Sequence, residues 1–293
     1  MTRPFTLIVM LVVLFQATAE AGGPWPRKKK SGYAQLGFTY LNYGGFYNHE
    51  GKTTALRRNV LDFTSQLYLE YGITDRLTLT SNLPFKYVRS SESIANTDST
   101  YFRDTVPSGE LFGLSNVMFG LKYNIIKKRV LFSAGLNAEA NVAKYDSLTT
   151  LRTGPSAWVF HPYLSVGTTF WGGRVYTLLD VGYRWRLNNY SDEADLNFEL
   201  GFSWNYSTYF IFSLAGRMSI KEGDFDNTVT PLNPNGRDLH TNLYPNNQQY
   251  LGYGVKFIQK IKNKVHINAA VYLGFGEMVA AAPSYNFGVA YEW

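Results

Sequence analysis

The chain closes on a stretch that alternates strictly, Tyr285-Asn-Phe-Gly-Val-Ala-Tyr-Glu-Trp293. Its odd-numbered residues are aromatic or aliphatic, and its even-numbered residues are small or polar. Because successive side chains of a strand point to opposite faces, the stretch predicts a strand with one greasy face and one polar face. Such a strand suits a wall with lipid on one side and a water-facing lumen on the other.

Eleven further segments alternate in the same way. The twelve predicted strands are 31–43, 57–73, 76–89, 112–125, 129–142, 158–170, 174–187, 194–206, 208–221, 249–261, 264–276 and 284–293. Strands of about 10 to 14 residues can cross a bilayer at a tilt. Five short and six long connections alternate along the chain, which is typical of outer-membrane barrels. The sequence therefore predicts an all-β, transmembrane, antiparallel up-and-down β-barrel of twelve strands over residues 31–293, with both termini on the short-turn side.

The two longest connections, 90–111 and 222–248, are rich in turn-forming polar residues. Two interpretations stay open for them. They either fold into the lumen or over its mouth, or they remain on the surface as disordered loops. In the second case they could also bind a partner.

The first 21 residues resemble an export signal. Arg3 supplies a positive charge, an apolar run follows, and Ala19-Glu20-Ala21 is a small-x-small cleavage site. We expect cleavage between Ala21 and Gly22. The chain has no Cys, which excludes a disulfide and a lipid-anchored cysteine. No later segment approaches 18 unbroken apolar residues, so helical spans are not predicted.

Residues 22–30 form a short basic segment with two prolines, Gly22-Gly-Pro-Trp-Pro-Arg-Lys-Lys-Lys30. The first interpretation is a solvated periplasmic tail. The second is a plug of the barrel, or a contact with phospholipid head groups. The chain carries a formal net charge of +6. Because the charges are scattered and the chain is exported, we expect anionic lipopolysaccharide or an anionic solute as partner, and no nucleic acid.

The polar faces of the strands would line the lumen. Alternation places thirteen candidate solute-pathway residues there: Asp62, Glu70, Lys86, Lys122, Glu139, His161, Asp180, Arg184, Arg186, Glu199, Arg217, Lys256 and His266. Glu292 faces the same way. In a narrow barrel such charges either pair across the lumen and fill it, or stay hydrated along a path. Arg184 and Arg186 are the strongest binding candidates, with Asp180 on the same face as their expected neutraliser.

Catalysis has little support in this sequence. An outer-membrane phospholipase would need a Ser and a His on the outer surface, and His161 and His266 are both predicted to face inward. No zinc-protease, phosphate-loop or calcium-loop motif occurs. We therefore predict no enzyme activity, no metal and no cofactor, and keep an esterase as a remote alternative.

One block resembles a known family. It consists of Tyr71-Gly-Ile-Thr-Asp-Arg-Leu-Thr-Leu-Thr-Ser-Asn-Leu-Pro-Phe85 and, after the next loop, Gly113-Leu-Ser-Asn-Val-Met-Phe-Gly-Leu-Lys-Tyr123. These segments resemble the phenol-degradation meta-pathway transporter-like family of outer-membrane barrels, mainly over residues 71–125. Gly113-Leu-Ser-Asn116 departs from the family's usual opening, because it lacks an Asp.

The resemblance implies passive uptake of a small hydrophobic or aromatic solute across the outer membrane. The expected partners are outer-membrane lipids and lipopolysaccharide, the solute, and the barrel-assembly machinery, which would read the closing strand. The alternative is a structural or partner-binding barrel without transport.

Overall fold

Twelve antiparallel strands form the barrel. The computed structural model describes residues 23–48, 50–92, 107–221, 223, 241, 243–262 and 264–293. The strands are β1 (Gly32–Tyr47), β2 (Thr53–Gly72), β3 (Leu77–Ser90), β4 in two segments, β4a (Gly109–Leu114) and β4b (Val117–Lys127), β5 (Val130–Ala140), β6 (Val159–Phe170), β7 (Val175–Arg186), β8 (Asp192–Ser203), β9 (Thr208–Lys221), β10 (Gln249–Lys262), β11 (Val265–Glu277) and β12 (Ser284–Glu292). No helix in the described part of the chain is long and apolar enough to cross a membrane.

The sheet closes on itself at the terminal strands. Each barrel strand pairs with its neighbours in the chain, and β12 pairs with β1 from Tyr33 opposite Glu292 to Leu41 opposite Ser284. The amides of Gly32 and Trp293 each donate to the other's carbonyl at 3.1 Å. Closure leaves no edge strand, so the backbone hydrogen bonds within the wall are satisfied without water. The predicted twelve-stranded barrel is confirmed.

The connections differ in length at the two ends of the barrel. The turns 73–76, 128–129, 171–174 and 204–207 and the connection between β10 and β11 lie at one end, together with the start of β1 and the end of β12. We name this end the short-turn end. The other connections lie at the long-loop end. The connection between β1 and β2 is shorter than the predicted loop 44–56. Gly45 pairs with Ala55 and Tyr47 with Thr53, so the two strands continue well past the predicted start of the loop.

Alternation along the strands separates the two faces of the wall. Phe287 is 58% exposed on the outer face of β12, whereas Ala290 on the inner face of the same strand is 1% exposed. Tyr43 lies near the long-loop end of β1 and faces inward rather than toward lipid. It is only 4% exposed, because it points into the mouth of the barrel and donates its hydroxyl to the carbonyl of Thr241 at 2.7 Å.

An apolar mouth cluster closes the long-loop end. Its members are Tyr43, Phe46, Leu56, Val60, Val88, Leu151, Leu243, Met278 and Ala280. Leu151 comes from a small hairpin in the 141–158 connection, in which Tyr145–Asp146 pairs with Leu151–Arg152. Leu243 shows that the described end of the 222–248 loop folds over the mouth. Residues 93–106, 222, 224–240 and 242 of the two longest loops lie outside the described residues.

Inward glycines make room for the aromatic side chains of the lumen. A Cβ on Gly254 would lie 2.1 Å from Cδ1 of Tyr272 and 2.6 Å from the carbonyl oxygen of Val271. We expect Gly254→Ala to lower the free energy of unfolding by about 1–3 kcal/mol, the usual range for overpacking. The measurement is the urea midpoint at which the heat-modifiable folded band disappears on electrophoresis. Gly37→Ala is the matched control, because its nearest contact is the flexible side chain of Gln66 at 3.3 Å. An equal midpoint for both variants would contradict the prediction.

Candidate functional site

The N-terminal segment Gly23–Lys30 enters the lumen from the short-turn end. Lys122 Nζ donates to the carbonyl of Gly23 at 2.9 Å. The carbonyl of Pro24 accepts from Asn124 Nδ2 at 3.1 Å and from Ser133 Oγ at 2.8 Å. Pro24 is buried among these strands. The segment therefore occupies the lumen as a plug, which corresponds to the second of the two interpretations of this stretch.

Arg27 fastens the plug to the wall. Its Nε lies 2.5 Å from Glu70 Oε2, and its Nη1 donates to Glu292 Oε1 at 3.0 Å. Lys122 Nζ lies 3.5 Å from the other oxygen of Glu70, whose side chain is 1% exposed. Burial alone would lower the pKa of Arg27, but the two carboxylates outweigh burial and raise the pKa above its ordinary value. The guanidinium thus stays charged throughout the pH range in which proteins fold.

An aromatic chamber of about 330 Å³ lies beside the plug. Its apolar walls include Trp25, Tyr33, Tyr176, Tyr209, Ile211 and Ile258. Trp25 meets Tyr176 edge to face, with ring centroids 5.6 Å apart and planes at 86°. At its polar side, Lys256 Nζ lies 2.9 Å from Glu199 Oε1, and Tyr176 donates to Glu199 Oε2 at 3.0 Å. The chamber therefore combines stacking surfaces with one hydrogen-bonding ion pair.

A second network of charges lies around Glu193, in the part of the lumen next to the long-loop end. The Glu193 side chain is fully buried, and its carboxylate lies 3.6 Å from Arg184, 2.9 Å from Arg186 and 3.4 Å from Arg217. Arg184 Nη2 also donates to Glu139 Oε1 at 2.6 Å. Arg184 and Arg186 are therefore held by wall carboxylates and are not left open for a solute.

The prediction that Asp180 neutralises these arginines is wrong. Asp180 forms no ion pair with any residue that the structure describes, and its Oδ2 accepts from Asn197 Nδ2 at 3.2 Å. Asp180 and Arg184 lie four residues apart on one strand, a separation of about 13 Å at the strand rise. Glu193 stands directly opposite Arg184 on β8, so the cross-strand neighbour takes the guanidinium.

The remaining candidates also face the lumen and have partners. Lys86 pairs with Asp62, and the Lys86 ammonium lies 4.9 Å from the centre of the Tyr244 ring. His161 Nε2 lies 3.1 Å from Asp195 Oδ1, and its ring stacks on Tyr163.

His266 lies 3.6 Å from Glu292.

A smaller cavity of about 80 Å³ lies between the His161 group and the plug. Its lining includes Lys122, Asp180 and Arg217. No group of three metal-ligating side chains exists among the described residues.

Several of these residues escaped the sequence analysis. Glu193 lies just outside the predicted strand 194–206, although the alternation of that strand continues through it. Asp195 and Tyr176 lie on predicted strands and could have been found by the same period-two argument. Trp25 carried no signal, because a tryptophan between two prolines is compatible with a solvated tail and with a plug.

The fold has relatives among solved structures. The COG4313 outer membrane channel from Pseudomonas putida F1 is similar with a TM-score of 0.68 and 14% identity, over 93% of this chain and 98% of that chain. The NanC porin follows with a TM-score of 0.53 and 8% identity, over 89% and 100%. The β domain of the Bordetella autotransporter BrkA matches with a TM-score of 0.51 and 9% identity, over 90% and 100%. A channel and an autotransporter domain share the architecture, so likeness at these identities concerns the fold alone.

The sequence comparisons are more specific. No curated protein matches the chain significantly. A family model with the description "Putative MetA-pathway of phenol degradation" matches residues 26–288, which covers the last five residues of the plug and nearly the whole barrel. The resemblance seen over residues 71–125 is thus confirmed for most of the chain, and the chain belongs to this family of phenol-degradation-associated barrels.

Proposed function

We propose that this chain is a passive channel of the outer membrane for a small hydrophobic or aromatic solute. The aromatic chamber carries the proposal. An apolar cavity of about 150 Å³ is enough to hold benzene, so a chamber of this size has room for a substituted ring. The family and the similar Pseudomonas putida channel support the same function.

The pathway would run between the mouth cluster and the plug. The paired charges around Glu193 line the part of it next to the long-loop end, and no energy source or catalytic group is needed. We include the thirteen lumen candidates in the proposal as pathway lining, with the ion pairs fixing its width. Transport would require the loops at the mouth and the plug to move aside. The proposal includes no enzyme activity, since His161 and His266 both lie inside the lumen and not on the outer surface that an outer-membrane phospholipase would use.

The proposed orientation places the short turns and both termini in the periplasm. We also propose that residues 1–21 are a signal peptide cleaved before Gly22. Gly23 lines both cavities, so an uncleaved leader would have to pack 21 further residues into the lumen. The closing strand β12, with its aromatic outer face, supports recognition by the barrel-assembly machinery.

Flux into liposomes tests the function. The probe is 4-hydroxybenzoate, an aromatic anion that crosses lipid poorly by itself, with gluconate as the non-aromatic anion. We expect protein-dependent flux of the aromatic probe to exceed that of gluconate. Absence of flux and of ion conductance, even after the plug is released, would overturn the proposal. A stoichiometric partner in native membranes without flux would favour the partner-binding alternative.

Neighbouring aromatic residues on β9 provide a matched test of the chamber. Tyr209 lines it, whereas Phe210 faces lipid and is 52% exposed. We expect Tyr209→Leu to lower the ratio of aromatic to gluconate flux about three- to tenfold, the value of one aromatic contact. Phe210→Leu should leave the ratio unchanged. Equal ratios for the two variants would show that the chamber does not select the solute.

A further inference from the structure

A ring of exposed cations surrounds the short-turn end. Its ten members, named here the basic ring, are Lys28, Lys29, Lys30, Arg76, Lys127, Lys128, Arg129, Arg174, Lys262 and Lys264. The acidic groups at this rim are Asp75 and the carboxylate of Trp293, since Glu292 is engaged with Arg27 in the lumen. The rim is therefore strongly positive.

The part of the chain that the structure describes does not neutralise these cations. Among the described residues, no member of the ring forms an ion pair with a carboxylate. Arg76 Nη1 donates to the carbonyl of Ile125 at 3.4 Å, Lys127 Nζ donates to the carbonyl of Asp75 at 3.2 Å, and Arg174 lies over the Tyr206 ring at 5.4 Å. Such contacts fix the side chains but leave their charge available to an external anion.

The depth of the ring indicates which anion it meets. Exposed aromatic side chains lie within or a few residues before the same turns and at the end of β12: Tyr71, Tyr123, Trp171, Trp204, Tyr206, Tyr291 and Trp293. Tyr and Trp mark the level at which acyl chains give way to head groups. The basic ring lies just beyond this belt and so at head-group depth.

The opposite end has no such excess of cations. The described residues of the six long connections include three acidic ones, Glu50, Glu92 and Asp146, and three basic ones, Lys52, Lys144 and Arg152. The positive rim is therefore not a reflection of a generally basic surface. It distinguishes the leaflet around the short-turn end from the other leaflet.

We propose that the basic ring binds the phosphate head groups of anionic phospholipids, such as phosphatidylglycerol and cardiolipin. Each Lys or Arg near an anionic membrane surface strengthens attraction about fivefold. The ring would anchor the rim to its leaflet and hold Lys28–Lys30 at the surface while the preceding residues enter the lumen. This proposal is independent of solute transport.

The test measures lipid retention by the purified protein in mixed micelles, with native mass spectrometry as the readout. Phosphatidylglycerol and phosphatidylcholine are supplied in equal amounts. We expect native protein to retain the anionic lipid at least tenfold over the zwitterionic one, and about 0.5 M salt to remove the preference by screening. The triple variant K127Q/K128Q/R129Q should lose about fivefold or more of the preference.

A matched triple variant at the long-loop end, K52Q/R89Q/K144Q, controls for net charge and should keep the preference. Both variants are first checked for the heat-modifiable folded band. Equal retention of the two lipids by native protein, or equal loss in both variants, would overturn the proposal. Displacement of the lipid by soluble glycerol phosphate at equal concentration would also overturn it, and would assign the ring to free phosphate. Capture of an acidic soluble protein without any lipid preference would likewise count against it.

Discussion

Replacement of Pro24–Arg27 by Gly-Ser-Gly-Ser is expected to give a channel that is open at the short-turn end. The change removes the Trp25 ring from the chamber and the Arg27 guanidinium from Glu70 and Glu292. It keeps the length of the segment, the sequence around Ala21 and Gly22, and the basic ring. Single-channel recording in a planar bilayer should show a long-lived open level that the native protein lacks or visits rarely.

Arg27→Gln isolates the contribution of the ion pairs. Breaking a buried ion pair costs about 3–5 kcal/mol. The side chain of Arg27 is 25% exposed, so solvent screening reduces this value, and about half of it is expected. Half of that range corresponds to an increase of about 10- to 100-fold in the open-to-closed ratio. Arg27→Lys should recover part of the closure, because it keeps the charge but loses the two-sided guanidinium geometry.

Lys29→Gln is the control for the plug variants. Lys29 is exposed, and its backbone amide rather than its ammonium contacts Asp75. Conductance should therefore stay at the native level. If the Gly-Ser replacement conducts no better than Lys29→Gln, the segment is not the barrier, and closure at the mouth cluster must limit the current.

The wall of the barrel could be predicted from the sequence to a large extent. The strand over 208–221 has the predicted bounds, and Asp62, Lys122 and Lys256 face inward as alternation requires. A period of two leaves only two choices for which face of a strand points outward. The choice that would put charged side chains into lipid is unfavourable. Physical chemistry thus decides the facing of each residue locally, without knowledge of its neighbours.

Pairing inside the lumen could not be predicted in the same way. Arg184 shares the inner face of the wall with Asp180 on its own strand and with Glu193 on the next strand. Only the stagger between β7 and β8 determines which of the two carboxylates pairs with the guanidinium. That stagger depends on how the whole sheet closes. Sequence periodicity identifies which charges enter the lumen but not which charges meet there.

The plug and the mouth cluster depend on space rather than on pattern. Gly120 and Gly167 leave gaps on the inner wall, and a Cβ at Gly167 would meet Pro24 at 2.7 Å. Leu151 is fully buried although it lies in a polar connection. A short segment can fill a cavity only where the surrounding side chains leave space. The order of residues in the sequence does not reveal where that space is.

Glu193→Gln is expected to be the most destabilising single substitution in the charge network around this residue. The carboxylate is the shared counter-ion of Arg184, Arg186 and Arg217, and its side chain is fully buried. The amide has nearly the same shape but no charge, so three guanidiniums would be left with Glu139 and Asp195 at the edges of the group. Removing one partner of a buried ionic group costs about 3–5 kcal/mol.

The urea midpoint of the folded band measures this loss, and a typical slope gives a decrease of about 1–3 M. Glu139→Gln tests the same network from its edge. It contacts Arg184 alone and is more exposed than Glu193, so its effect should be smaller. Glu50→Gln removes an exposed pair with Lys52 and should change the midpoint little. An equal midpoint for Glu193→Gln and Glu50→Gln would show that water in the lumen, and not Glu193, stabilises the three arginines. The lumen around Glu193 would then be a hydrated path rather than a packed ionic layer.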